Sequence, residues 1–584
     1  MSTLVCVPIT VLEIDAALAD ANQAKLLGAD IVELRIDSYF PGSEGDSEDQ
    51  LRLNELKRLI AECPLPVILT CRSATEGGDY DGDEADRVSL LEKLCINTDH
   101  PPAYLDFELA CYQKSANIRQ KINLCVDHPK QERDVRTRLI LSMHDFEGRP
   151  KDLMRRLSEA WAEPAASVVK FAFRARSIRD NLEIFEILRD APKPTIGLGM
   201  GEFGLMSRVL APKFGGFLTF ASLRDSSATA PGQPTIADLL GLYRFRSIGK
   251  DTRLYGVIGW PVAHSMSPLI HNAGFEAVGH DGVYLPMPVP ASDDREASRL
   301  SLFATLDAFT CDPHLGYSGS SVTIPHKVSL ADWFYRKDRP AWPKTEPFYF
   351  VFDGQRGEGR AANTICCEWH NNHVHNIYIT NTDIKAIRSL IVNPDASPNR
   401  VVILGAGGAS RAAVRALMPG SRGNGPDFDA EVTVTARRRE SADELVSNLA
   451  RPSEREDELW DHISRQPGFR LQAVDLAQLR EINADVYINC TPVGMTGGPD
   501  PEGLSIPVHE LAGKLSPDTV FFDTVYNPIE TPMLKAAKEH GFRTIDGVEM
   551  FVRQAAAQFE LWTGKPAPVQ LFDRLVREKL GSTT

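Results

Sequence analysis

At 584 residues the chain is too long for one hydrophobic core, and at about 100 to 250 residues per domain it implies two to four domains. Its hydrophobic (43%) and charged (24%) fractions are those of an ordinary soluble globular protein, not of a disordered chain. A formal net charge of -15 argues against nucleic acid and anionic membrane as partners, so any arginines in a cleft act locally.

Up to residue 246, short β-rich runs alternate with helix-length amphipathic segments, the pattern of a parallel sheet built from βα units. Eight such runs stand out: Leu4 to Ile9, Ile31 to Ile36, Val67 to Arg72, Ala103 to Glu108, Arg138 to His144, Ser167 to Phe173, Thr195 to Met200 and Phe217 to Ser222. Eight repeats of this length predict a (β/α)8 barrel. Side chains alternate across a strand, so Glu33 and Arg35 share a face, as do Thr70 and Arg72, Asp106 and Glu108, and Ser142 and His144. Most lie towards the C-terminal ends of their strands, where barrel enzymes place their chemistry.

Lys170 is the most informative residue of the first half. It sits inside Ser167-Val-Val-Lys170-Phe-Ala-Phe173, where an ammonium would lose its hydration. Desolvation lowers an amine's pKa, so a lysine buried here is expected to be an uncharged nucleophile that forms an imine with a ketone. The bland alternative is a lysine whose head reaches water past the strand end.

From Leu254 the pattern changes to an α/β segment running to about residue 385. Next comes Arg400-Val-Val-Ile-Leu-Gly405-Ala406-Gly407-Gly408-Ala409-Ser410-Arg411, opening a helical stretch through Leu417. A strand, a glycine turn and a helix form a dinucleotide phosphate cradle, with Ser410 at the third glycine position. The next strand, Glu431 to Thr435, ends in Ala436-Arg437-Arg438-Arg439 where an NAD-binding chain usually carries an acidic residue. Arginine there suits a 2′-phosphate and favours NADP(H). Stretches 420–427 and 451–461 read as surface insertions in this domain.

The ten cysteines contain no Cys-x-x-Cys pair, and their irregular spacing fits neither a zinc site nor a disulfide framework. The first 24 residues lack Lys and Arg but carry acidic residues, unlike a signal peptide, and no long uncharged apolar stretch could span a bilayer. A cytoplasmic protein without a metal is expected, and the sequence leaves a homo-oligomer open.

The motifs then resemble two families in succession. Glu33-Leu-Arg35, Thr70-Cys-Arg72-Ser with Glu76-Gly-Gly, Met-His144-Asp-Phe, Val-Lys170-Phe-Ala, Gly-Leu-Met-Ser-Arg208 and Ala-Pro-Gly-Gln233 are similar to type I 3-dehydroquinate dehydratases. His-Ser265-Met-Ser267-Pro, Val-Thr323-Ile-Pro-His-Lys327, Ala-Asn363-Thr, Asn-Thr-Asp383, the glycine turn, Asn-Cys-Thr491-Pro-Val-Gly-Met, Tyr526-Asn-Pro and Gly547-Val-Glu-Met with Gln554 are similar to shikimate dehydrogenases. The resemblance implies a fused bifunctional enzyme. Its parts would be a TIM barrel over 1–246, a substrate-binding domain over 254–387 completed by 548–584, and a Rossmann NADP-binding domain over 388–547.

By that resemblance Lys170 forms an iminium with the C3 ketone of 3-dehydroquinate, and His144 moves the C2 proton and helps the C1 hydroxyl leave. Arg208 would pair with the substrate carboxylate, while Glu33, Arg35, Arg72, Glu76, Thr229 and Gln233 complete the site. In the second half Lys327 and Asp383 would be the catalytic pair, with the proton donor left open between them. Ser265, Ser267, Thr323, Asn363 and Gln554 would bind 3-dehydroshikimate or shikimate. Residues 405 to 410, Arg437, Arg438, Thr491 and Gly547 would bind NADP(H).

The pattern departs from the families in several places. Thr229 stands for a serine, Arg360 and Ala386 for glycines and Ala436 for an asparagine, and an aromatic and basic insert runs from Trp333 to Phe352. Two alternatives are a quinate dehydrogenase working in catabolism and a non-catalytic regulator. The regulator should have lost Lys170, His144, Lys327 or Asp383, yet all are present.

Overall fold

The computed structural model describes residues 2–41, 46–96, 98–131, 135–225, 232–335, 349–353, 361–370, 373–392, 398–418, 430–450 and 469–581. Thr229, Arg360, the stretches 420–427 and 451–461, and all of the 333–352 insert except its two ends lie outside them. Two units divide the chain, 1–252 and 253–584.

In the first unit every anticipated run is a strand: β1 Leu4–Thr10, β2 Ile31–Arg35, β3 Val67–Thr70, β4 Tyr104–Glu108, β5 Arg138–Asp145, β6 Ala166–Arg174, β7 Thr195–Met200 and β8 Leu218–Phe220. They pair in parallel in the order β7-β6-β5-β4-β3-β2-β1-β8. Phe217, just before β8, donates its N–H to Thr195 O of β7 at 2.9 Å, which brings the two ends of the ladder together.

The barrel interior is layered by the two-residue period of its strands. Ile31, Ile68, Tyr104, Ile140, Val168, Ile196 and Leu218 belong to one buried apolar cluster. Two residues further along, β2 to β6 present Glu33, Thr70, Asp106, Ser142 and Lys170, all buried. On β7 and β8 the equivalent positions are Leu198 and Phe220. The polar layer therefore has an apolar floor and an apolar flank, and the arms of the site rise from the C-terminal ends of the strands.

The second unit contains two six-stranded sheets. The first joins β9 Arg253–Gly259, β10 Gly282–Pro288, β11 Tyr317–Val322, β12 Tyr349–Asp353, β13 Thr364–His370 and β14 His373–Thr380 in the order β10-β9-β11-β13-β14-β12. The far end of the aromatic insert thus supplies an edge strand, β12, parallel to β14. Trp333, at the near end, is buried and donates Nε1–H to Asp307 Oδ1 at 2.9 Å.

The second sheet contains β15 Arg400–Leu404, β16 Ala430–Ala436, β17 Phe469–Asp475, β18 Val486–Asn489, β19 Val520–Asp523 and β20 Arg543–Ile545. All its pairings are parallel and the order is β17-β16-β15-β18-β19-β20, so the sequence order reverses between β15 and β18, the topological switch point of a dinucleotide-binding fold. Helices Gly547–Thr563 and Val569–Gly581 return to the first sheet, where Val548, Phe559, Trp562, Phe572 and Val576 share a core with Tyr255, Phe275 and Tyr284. Ala386 packs in the apolar core of the second sheet, which accounts for a side chain at that position. No helix among the described residues is long and apolar enough to cross a membrane.

Candidate active sites

Lys170 is buried, as its strand implied, but not unpartnered. Its Nζ lies 2.9 Å from Asp106 Oδ2 and 3.2 Å from Glu33 Oε1, with the Phe220 ring centroid at 4.6 Å. The expectation of an uncharged amine in an apolar strand is therefore corrected: Asp106 and Glu33 compensate the hydration that an ammonium would lose there. Asp106 also accepts from Arg72 Nη2 at 2.7 Å and from Ser142 Oγ at 2.6 Å. Burial alone would raise the Asp106 carboxyl, but Arg72 and then Lys170 more than offset it and hold it well below the usual carboxylate range. Arg72 in turn reaches Glu108 at 3.2 Å, and Glu108 meets the fully buried Arg87 at 2.9 Å. Charges alternate through this layer, so each buried ion has a partner of the opposite sign.

His144 stands on the same face of β5 as Ser142, and its Nδ1 is 3.0 Å from Glu76 Oε2, which also accepts the His144 backbone N–H at 3.0 Å. Burial first, then the positive charges of Arg72 and Lys170, push the imidazole well below its usual range, so it is neutral at physiological pH. Burial pushes Glu76 up to about 7, against the pull of Arg72. A neutral imidazole with Nδ1–H directed at Glu76 carries its lone pair on Nε2, the form a general base requires. Glu76, expected among the substrate ligands, is placed against His144.

Arg35 is bound in a two-pronged pair by Asp37, at 2.8 and 2.7 Å, so its direction is fixed by its own loop. Arg208 follows β7 and is almost fully buried. Its Nη1 donates to the carbonyls of Gly199 and Gly204, Nε has no hydrogen-bond partner, and it forms no ion pair among the described residues. Burial alone pushes it down to about 10. A buried guanidinium without a counter-ion is costly, and an anionic ligand would complete it. Gln233 is half-buried beyond β8, and Thr229 lies outside the described residues.

In the second unit Lys327 opens the helix Lys327–Tyr335 and donates to Asp383 Oδ2 at 2.6 Å. Asp383 lies in the first turn of the helix Thr382–Ile391, capped by Asn381, whose Oδ1 accepts the Asp383 N–H at 3.1 Å. Asn363 Nδ2 donates to Asp383 Oδ1 at 2.8 Å, and Thr382 Oγ1 reaches Gln554 Oε1 at 3.4 Å. Lys327, Asp383, Asn363 and Gln554 are thus brought together. Ser265 and Ser267 meet each other, Ser265 Oγ accepting the Ser267 N–H at 3.2 Å, and Thr323 follows β11; none of the three is bonded directly to the Lys327 group.

The glycine turn lies beside this group. A Cβ on Gly408 would come within 3.2 Å of Lys327 Cδ, so the cradle and the lysine are neighbours. Gly405 has φ +116, a conformation L side chains rarely adopt, and Gly407 has open space where a Cβ would stand, leaving room for a phosphate at the helix N-terminus. Arg437 and Arg438 are exposed with no carboxylate partner among the described residues, whereas Arg439 is taken by Asp443 and Asp475. This turn and these two free guanidinium groups fit an NADP phosphate pair. Thr491 Oγ1 donates to Asn489 Oδ1 at 2.7 Å, and Gly547 is required because a Cβ there would lie 2.2 Å from Val525 O.

Sequence reasoning noted Asp106 and Glu108 as strand-face residues but did not assign them to the site, and it missed Arg87, Thr364 and Gln558. Strand parity with Thr70 and Lys170 was the available signal for Asp106. For Arg87 and Gln558, on helices distant in sequence, there was none.

Comparison with known proteins gives a consistent result. The family model for type I 3-dehydroquinase matches residues 5–250, that for the shikimate dehydrogenase substrate binding domain matches 257–341, and that for the shikimate 5'-dehydrogenase C-terminal domain matches 547–577. The chain is 34% identical over 98% of its length to the chloroplastic bifunctional 3-dehydroquinate dehydratase/shikimate dehydrogenase of Arabidopsis thaliana, covering 83% of that protein. The pentafunctional AROM polypeptide of Kluyveromyces lactis is 28% identical over 94% of this chain, which spans 31% of that longer protein. An NADP(+) shikimate dehydrogenase of Moorella thermoacetica is 33% identical over 57% of this chain and 96% of its own. The chain belongs to the bifunctional 3-dehydroquinate dehydratase/shikimate dehydrogenase family.

Proposed function

We propose that Lys170 and His144 dehydrate 3-dehydroquinate to 3-dehydroshikimate, and that Lys327 and Asp383 serve the reduction of that ketone to shikimate with NADPH. The observation that carries the reading is a buried ε-amino group bracketed by Asp106 and Glu33 in the same barrel mouth as a neutral, carboxylate-held His144.

Lys170 passes one ammonium proton to the carboxylates beside it and attacks C3 as the amine; the carbonyl oxygen takes that proton and one from the attacking nitrogen and leaves as water, giving an iminium. The iminium nitrogen takes up the electron pair released when the C2 proton leaves for His144 Nε2. The imidazolium gives its proton to the departing C1 hydroxyl, which leaves as water, and a further water hydrolyses the iminium to free 3-dehydroshikimate and the Lys170 ammonium. Arg208 pairs with the carboxylate, while Arg35, Arg72, Gln233 and Thr229 hold and orient the ring.

NADPH held in the second unit would supply the hydride for the carbonyl carbon. Residues 405 to 410 would hold its pyrophosphate, Arg437 and Arg438 its 2′-phosphate, and Thr491 and Gly547 would flank it. Lys327 Nζ gives the proton to the carbonyl oxygen, Asp383 fixing its direction from 2.6 Å. Ser265 and Ser267 take the substrate carboxylate, and Thr323, Asn363 and Gln554 the ring hydroxyls. The substrates are small molecules.

Borohydride added during turnover with 3-dehydroquinate should leave a reduced adduct on the Lys170 peptide, detectable by mass, and Lys170→Met should lose both adduct and dehydration. Lys327→Met should lose only the reductase. An unmodified Lys170 in an actively dehydrating sample would overturn the first assignment. Comparing shikimate and quinate with NADP and NAD tests the second, and a preference for quinate with NAD would reverse it.

A further inference from the structure

Asp383 Oδ1 accepts the Asn363 amide NH2 at 2.8 Å, and on the far side of that amide a buried set of groups holds its oxygen in place. Gln558, on the helix Gly547–Thr563, is fully buried and spends both amide hydrogens nearby: Nε2 donates to Thr364 Oγ1 at 2.9 Å and to Asn363 O at 3.3 Å. Its Oε1 has no hydrogen-bond partner among the described residues, so the side chain contributes here through its NH2 group. Flipping it would set that oxygen against the Asn363 carbonyl oxygen, so the orientation is fixed.

Thr364 Oγ1, accepting from Gln558, directs its own proton to Asn363 Oδ1 at 2.7 Å, nearer than the alternative acceptor Thr382 Oγ1 at 3.4 Å. The same Oδ1 also accepts Thr382 N–H at 2.8 Å. Thr382 Oγ1 adds a weaker third donor at 3.1 Å, and with its oxygen held on this side Asn363 presents Nδ2 to Asp383 Oδ1 at 2.8 Å, leaving Asp383 Oδ2 for Lys327. The Thr364 hydroxyl is directed by Gln558, and it makes the shortest contact to the Asn363 oxygen beside the independent Thr382 backbone donor.

Resting on the assignment of Lys327 and Asp383 to ketone reduction, we propose that Thr364 and Gln558 are positioning residues for that step, a buried relay that orients Asn363 and, through it, the Asp383 carboxylate and the Lys327 ammonium. Neither touches the reacting atoms. Their effect is on the fraction of molecules in which Lys327 points at the carbonyl oxygen.

The test uses full-length protein, with dehydratase activity of the same preparation as the concentration reference and an unchanged thermal unfolding of the second unit as its folding control. Thr364→Val keeps the volume and removes the relay hydroxyl, and Gln558→Leu removes the NH2 donor. Each should lower the reductase kcat about tenfold with the KM for NADPH within twofold of the parent. The double variant should be no worse than Thr364→Val alone, because both changes cut one chain. Thr364→Ser, which retains the hydroxyl, should recover at least half of the rate. A Thr364→Val enzyme with kcat within twofold of the parent overturns the relay whatever Gln558→Leu does, as do losses that multiply in the double variant or a Ser variant as slow as Val. Lys327→Met separates this failure from that of the underlying assignment: full reductase activity in Lys327→Met removes the assignment, whereas its loss beside an unaffected Thr364→Val removes only the relay.

Discussion

Asp106 Oδ2 lies 2.9 Å from Lys170 Nζ while Oδ1 of the same carboxylate accepts from Arg72 at 2.7 Å, so one buried anion separates two buried cations. Neutralising it leaves both without full compensation. Asp106→Asn should destabilise the barrel by about 3 to 5 kcal/mol and lower dehydration kcat by about 100-fold or more. Chemical denaturation followed alongside both activities checks this, the reductase serving as reference. Parent-like stability and dehydration together would show that Asp106 is dispensable to Lys170.

The Glu76 and His144 pair predicts a pH dependence. Glu76 changes charge at about 7 whereas His144 is already neutral there. As pH rises through about 7 the carboxylate form accumulates, fixes Nδ1–H and strengthens Nε2 as a base, so dehydration kcat should rise across that range. Glu76→Gln cannot titrate, so the rise should vanish and the plateau fall about tenfold. An unchanged limb in Glu76→Gln would assign it to another group. Stability runs the other way: the folded carboxyl binds its proton more tightly than an unfolded one near 4.5, so Glu76 weakens folding as pH rises from about 4.5 to about 7. Glu76→Gln should remove that slope from the unfolding free energy.

These pairs mark where the sequence was legible. Period-two alternation placed Glu33, Thr70, Asp106, Ser142 and Lys170 on one side of their strands, because each strand reports its own parity. It could not show that Asp106 faces Lys170, 64 residues on, since strand closure and stagger decide which inward residues meet across a barrel. Glu76 meets His144 only because the loop after β3 turns back over the mouth, a contact spanning 68 residues. Strand β8 is shorter than the run Phe217 to Ser222 because Ser222 leaves the ladder for an isolated bridge to Thr235. In the second unit the glycine turn was readable as a local motif. Gln558 was not: it approaches Thr364 from a helix 194 residues away.

Arg208 should show function and stability opposed. A buried guanidinium with no ion pair among the described residues costs desolvation energy in the free protein and repays it on binding a carboxylate. Arg208→Met should raise the KM for 3-dehydroquinate by about 100-fold while leaving the unfolding midpoint equal to or above that of the parent. A sharp loss of stability with an unchanged KM would make Arg208 a scaffold residue that holds the Gly199 and Gly204 carbonyls.

Cofactor choice should reside in two of the three consecutive arginines after β16. Arg437 and Arg438 are exposed and have no carboxylate partner among the described residues, whereas Arg439 already faces Asp443 and Asp475. A 2′-phosphate adds an anionic group that a free guanidinium can bind in two-pronged fashion, while NAD offers only a hydroxyl there. Arg437→Ala with Arg438→Ala should therefore raise the KM for NADPH by at least about tenfold and leave that for NADH nearly unchanged. Arg439→Ala should alter neither beyond twofold, because its charge is spent on its own helix and on β17. Kinetics with both nucleotides on the three variants decide the matter: equal losses for NADPH and NADH would trace the effect to the turn's shape, and a large effect confined to Arg439 would move the phosphate one residue along the chain.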